Sequence, residues 1–85
     1  MDEAEGGMIP LYGFLQGDTI GVVILARGED TMRDLAEKLE QAARTRVAPL
    51  RKPVVHFAGE DRPSSVTVVA AGMQVLDRFD VRESS

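Results

Sequence analysis

Apolar residues recur at helical spacing along one long stretch of the chain. Met32, Leu35, Ala36, Leu39, Ala43 and Val47 fall on one side of a helix drawn over residues 31–47, while Arg33, Asp34, Glu37, Lys38, Glu40, Gln41 and Arg44 take the other side. Asp30 or Thr31 stands at the N-cap, and Asp34 in the first turn suits the positive end of the helix dipole. Pro49 ends the element by pushing Ala48 out of the helical region. Arg44 and Arg46 sit where positive charge meets the negative end of the dipole. A helix with a single apolar stripe does not fold alone, so this one must lie on a sheet made by the segments around it.

Those segments read as strands. Residues 9–15 are apolar and aromatic, with Pro10 near the start because it lacks an amide donor. Gln16, Gly17 and Asp18 form a turn, and residues 19–27, rich in branched side chains, give the strongest strand signal. The short loop predicts a hairpin. After the helix, residues 50–53 connect to a short strand over 54–57, which ends in a turn at 58–61. Residues 66–71 are ambiguous. Their valines favour a strand, but Thr67 can cap one helical turn that Gly72 closes in a left-handed conformation, and that turn is the reading adopted. Residues 76–81 form the last strand, with Phe79 and Val81 toward the helix. Residues 1–7 are expected to be a flexible tail, 8–82 a single domain and 83–85 a frayed end. The order β-β-α-β-turn-β predicts an α+β fold, a mixed sheet of four or five strands with one long helix across one face. This is the β-grasp arrangement; a split β-α-β fold would need a second long helix.

The hairpin breaks the rule that a sheet covered on one side alternates apolar and polar. Ile20, Val22, Ile24 and Ala26 share one face of its second strand, yet Val23 and Leu25 occupy the other; in the first strand Ile9, Leu11 and Leu15 oppose Tyr12 and Phe14. One helix covers one face. The uncovered set is expected to be Tyr12, Phe14, Val23 and Leu25, and contiguous exposed apolar surface on a small protein marks a docking site. Scattered surface apolar residues are common, and that is the plainer account.

Composition narrows the chemistry. The chain has 85 residues, a net charge of −4 and no cysteine. Disulfides, thiolate metal sites and a cysteine nucleophile are excluded, and a reducing cytosol is the expected setting. No apolar run reaches the ~18–20 residues that span a bilayer, and the acidic start has the wrong sign for a signal peptide. The single histidine, His56, lacks partners at triad or metal-ligand spacing. Asp77 and Asp80 alternate with apolar residues as a solvated strand face does, Glu60-Asp61 lacks further ligands, and neither Gly6-Gly7 nor Gly59 belongs to a phosphate-binding motif. Arg44, Arg46, Arg51 and Lys52 form a basic cluster that compensates the helix dipole or meets an acidic partner; without interleaved aromatics it does not suit nucleic acid. The residues therefore offer no catalytic, cofactor or metal site. The candidate partner-binding residues are Tyr12, Phe14, Val23, Leu25, Arg44 and Arg46.

The chain resembles the toluene-4-monooxygenase system protein B family, the small γ subunit of bacterial multicomponent diiron hydroxylases. The likeness covers residues 9–82. It is carried by Ile9-Pro10-Leu11, Asp30-Thr31-Met32 before Leu35-Ala36-Glu37-Lys38-Leu39, Arg46-Val47-Ala48-Pro49 after the helix, and Val68-Val69-Ala70-Ala71-Gly72-Met73 leading to Phe79-Asp80-Val81. The resemblance implies a ubiquitin-like fold, no cofactor and no active site in this chain, and a structural role on the large hydroxylase subunit, which would hold the diiron centre. The acidic leader lies outside the likeness, and Gly59-Glu60-Asp61-Arg62 is more polar than the family pattern. A free-standing ubiquitin-like adaptor of another bacterial assembly is the alternative. A sulfur carrier or conjugated modifier would need a terminal Gly-Gly, where this chain has Arg82-Glu83-Ser84-Ser85.

Overall fold

A computed structural model describes residues 7–84. The expected tail therefore lies outside the described residues, Gly7 excepted. The elements run β1 (Met8–Leu15), β2 (Gly21–Arg27), α1 (Met32–Ala43), β3 (Pro53–Phe57), β4 (Glu60–Arg62), α2 (Val68–Ala71) and β5 (Arg78–Glu83). The five strands form one sheet in the order β2-β1-β5-β3-β4. β1 and β5 pair in parallel at its centre, and the other neighbours are antiparallel. The α+β β-grasp expectation holds, with five strands.

Helix α1 lies across one face of this sheet. Its stripe of Met32, Leu35, Ala36, Leu39 and Ala43 is buried against Leu11, Leu15, Ile24, Ala26, Val55, Phe79 and Val81. Gly13 is part of the fit. A Cβ at this position would lie 2.8 Å from Cζ of Phe79 and 3.1 Å from Cδ2 of Leu39, so the absent side chain is what lets β1 meet both.

The start of α1 is closed by side chain and chain together. Thr31 is the N-cap, and its hydroxyl accepts from the Asp34 amide while Asp34 accepts from the Thr31 amide, a reciprocal capping box. The Met32 and Arg33 amides donate to the carbonyls of Val66 and Ser64. In return Val68 and Val69 donate to Asp30 and Gly28, so the two helices begin back to back around a Thr31–Thr67 bridge. The adopted reading of α2 is borne out: Thr67 accepts from the Ala70 amide, and Gly72 at φ 78° donates to the carbonyls of Val68 and Val69.

Four boundaries differ from the sequence reading. The helix has 12 residues and stops at Ala43, short of Val47. The amides of Arg46 and Val47 both turn back to the Ala43 carbonyl, and Val47 packs on the core from this turn, which is why the stripe seems to continue. The loop between β1 and β2 is longer than expected, since Phe14 and Gly21 are the last pair. Ile20 lies in that loop at 49% exposure and is not in the helix-facing set. Residues 60–62 are a strand, not a turn. Ala58 at φ 55° and Gly59 at φ 87° make a two-residue hairpin loop whose twist suits the flanking strands, and Glu60 pairs with Phe57. The last strand begins at Arg78 and runs through Glu83, whose amide donates to the Gln16 side chain.

Candidate functional site: the outer face of the β1–β2 ribbon

The face of the sheet away from α1 divides into two halves. On β5, β3 and β4 it carries Arg78, Asp80, Arg82, His56 and Asp61. Register places His56 between Asp80 and Asp61, and Val54 beside Arg82. Nδ1 of His56 lies 2.8 Å from Asp61 and 2.6 Å from an Arg82 nitrogen. One nitrogen cannot donate and accept at once. A proton on Nδ1 serves the Asp61 carboxylate and its absence serves Arg82, so the ring's tautomer decides which contact is the hydrogen bond; Arg82 also reaches the same carboxylate at 3.5 Å. The hydrogen bond from His56, then the nearby Arg82 charge, holds Asp61 below the usual carboxylate range. Asp80 is taken by Arg78. These are surface ion pairs, and among the described residues no group of three or more possible metal ligands exists.

On β1 and β2 the outer face is apolar. Tyr12 is 41% exposed, Val23 and Leu25 are each 53% exposed, and Met8 is also exposed. Tyr12 sits directly opposite Val23, and Pro10 opposite Leu25. Phe14 is half-buried: its ring meets Tyr12 edge-on at 4.9 Å, and the Arg78 guanidinium lies 4.1 Å from its centroid. Both rings lean over Gly21, where a Cβ would fall within 2.6–2.8 Å of them. The exposed set expected from alternation, Tyr12, Phe14, Val23 and Leu25, thus lies on one face and in contact range. Leu76 was missed. Its amide donates to the Pro10 carbonyl, which brings this exposed residue beside the apolar half. No periodic pattern marks it, because it sits in an irregular approach to β5 at φ 62°.

The two basic candidates stand apart from this patch. Arg44 is the exposed C-cap of α1. Arg46 is committed to Asp18 in the β1–β2 loop, with nitrogen–oxygen distances of 2.7 and 3.2 Å. The pair ties the turn after α1 to the hairpin loop, so Arg46 acts first as an internal tie. Its hydrogen bonds hold Asp18 below the ordinary value of 3.8. A carboxylate depressed in the folded state supports folding above its unfolded value and loses that support as pH falls. Chemical denaturation midpoints should therefore drop as pH falls below about 3.8, and the drop should be shallower in Asp18→Asn. Equal slopes for the two proteins would show that the pair contributes nothing.

A five-stranded mixed sheet in the order β2-β1-β5-β3-β4, with one helix across one face, defines a ubiquitin-like β-grasp protein. Known structures agree. An archaeal ubiquitin from Caldiarchaeum subterraneum superposes with a TM-score of 0.74 at 12% identity, covering 93% of this chain and 96% of the other. A ubiquitin-like domain from Arabidopsis thaliana does so at 0.74 and 12% identity, covering 96% and 83%. A chain from the toluene 4-monooxygenase HD complex with the inhibitor 4-bromobenzoate reaches 0.84 at 22% identity, covering 91% of this chain and 99% of that one. No curated protein matches the sequence. Residues 8–82 match the family toluene-4-monooxygenase system protein B, and the chain belongs to that family. Among the described residues no helix is long and apolar enough to cross a membrane.

Proposed function

We propose that this chain is the non-catalytic small, γ-type subunit of a multicomponent aromatic or hydrocarbon monooxygenase. It docks on the diiron hydroxylase large subunit, in the cytoplasm, through the outer face of β1 and β2. The observation that carries this reading is the apolar half-face of Tyr12, Val23 and Leu25, which the protein's one long apolar stripe, on α1, leaves uncovered. Family membership supports it, as does the 0.84 superposition on a chain of a toluene 4-monooxygenase complex. Docking would be driven by removing apolar area from water, at about 25 cal/mol per Å² before association costs. The charged half of the face would supply orientation more than affinity. The subunit would use no cofactor of its own, and oxidation would belong to the partner.

The test is co-purification with the hydroxylase large subunit. Tyr12→Asp places a charge in the middle of the patch on an inner strand. It should abolish co-purification while circular dichroism and melting stay native. If the variant keeps the hydroxylase and Arg44→Glu releases it, the hairpin face is not the interface.

A further inference from the structure

Strand β2 is an edge of the sheet, and its open hydrogen-bonding groups can be located. In β1, the amides of Tyr12 and Gln16 and the carbonyl of Pro10 all engage the chain on the β5 side. The even-numbered residues of β1 therefore point toward β5, and Ile9, Leu11 and Gly13 point toward β2. Their partners are Ala26, Ile24 and Val22. In an antiparallel pair, hydrogen-bonded and non-bonded partners alternate, so Gly21, Val23, Leu25 and Arg27 direct their N–H and C=O groups away from β1. Arg27 is closed off: its amide donates to the Asp30 carboxylate, and its carbonyl accepts from the Asp30 amide. Gly21, Val23 and Leu25 are left open. Natural edges are normally blunted by charge, proline or a bulge, yet β2 reads Gly-Val-Val-Ile-Leu-Ala before Arg27.

We propose that β2 is a homodimer interface: two copies of this chain pair their β2 strands antiparallel about a two-fold axis at Val23. Three features specify a second copy in this register. The open residues are symmetric about Val23. The pairs Gly21–Leu25, Val23–Val23 and Leu25–Gly21 each exchange two bonds and leave no open group unused. A closed two-fold contact requires this self-complementarity. Shape agrees with it, because Leu25, 53% exposed, arrives opposite the one β2 position without a side chain. There the rings of Tyr12 and Phe14 lean over Gly21 and present an apolar wall. Charge sets the direction. The antiparallel arrangement places the Arg27 side chains at opposite ends of the paired strands, whereas a parallel one would stack Arg27 on Arg27. The dimer joins the two sheets edge to edge and brings the apolar half-faces of both copies together. It stands independently of the hydroxylase reading.

The experiment is sedimentation equilibrium of the full chain over a wide concentration range, with circular dichroism of each variant. The parent should show a concentration-dependent dimer. The Val23 amide lies at the open edge and not in the β1 ladder, so Val23→Pro removes a donor without breaking the hairpin. The loss counts twice across the axis, so the dimer should weaken at least about tenfold. Leu25→Lys should do the same if proline distorts the strand. The chain has no cysteine, so Val23→Cys should cross-link to itself on oxidation and Ile20→Cys should not. A parent that stays monomeric throughout, or a dimer that survives in a natively folded Val23→Pro or Leu25→Lys, overturns the proposal.

Discussion

Leu39→Ala should destabilise the domain by about 2–5 kcal/mol, the range for truncating a buried leucine. Leu39 is 0% exposed, sits mid-stripe on α1, and reaches β1 at the one place where Gly13 removes a side chain. Its truncation would leave a cavity bounded by Phe79 and the Gly13 backbone, and a strand inside a sheet has little freedom to collapse into it. A domain of this size has a total stability of roughly 5–15 kcal/mol, so the variant should melt well below the parent. A melting point within a degree or two of the parent would mean that α1 packs by another face.

Gly13→Val should be at least as damaging, for the opposite reason. Its first side-chain atom alone would lie 2.8 Å from the Phe79 ring, with two Leu39 methyls at 3.1 and 3.2 Å. Phe79 is fixed between β1 and the helix, so relief requires α1 to lift from the sheet. Overpacking of this kind costs typically 1–3 kcal/mol, occasionally more, and valine adds two further methyls to a contact already too short. Urea denaturation of Gly13→Ala and Gly13→Val should give a graded loss. A neutral alanine would show that Phe79 can swing aside.

Much of this was legible in the chain because local and tertiary demands agree. The helix stripe, an N-cap at Asp30 or Thr31, the Thr67–Gly72 turn and the alternation that sends Tyr12, Val23 and Leu25 outward follow from period and capping chemistry alone; the structure selects Thr31. The misses have physical causes. Val47 keeps helical spacing because it fills the same core from a turn, so apolar spacing did not mark where the hydrogen bonds stop. Strand β4 is hidden because Glu60-Asp61-Arg62 is an exposed, charged edge with no apolar alternation. The Arg46–Asp18 tie joins residues 28 positions apart, and nothing in the order of residues announces it. Leu76 enters the patch through a backbone bond to Pro10, which is equally silent in sequence. The outward-facing apolar set was visible as an excess of apolar positions; its extent was not.

The back-to-back start of the two helices has a consequence for local opening. An ordinary helix frays at its first turn, and its first amides exchange with solvent quickly. Here the Met32 and Arg33 amides are held by Val66 and Ser64, which lie more than thirty residues further along the chain. The first turn cannot unwind unless segment 63–69 lifts with it. Hydrogen exchange should therefore find these amides opening together with those of Val68 and Val69, as one cooperative unit. At the other end of α1, the amides of Arg46 and Val47 share a single carbonyl. They lie in the turn beyond α1, which the Arg46–Asp18 pair ties to the β1–β2 loop, so these two amides should open with that loop and not with the first turn of the helix.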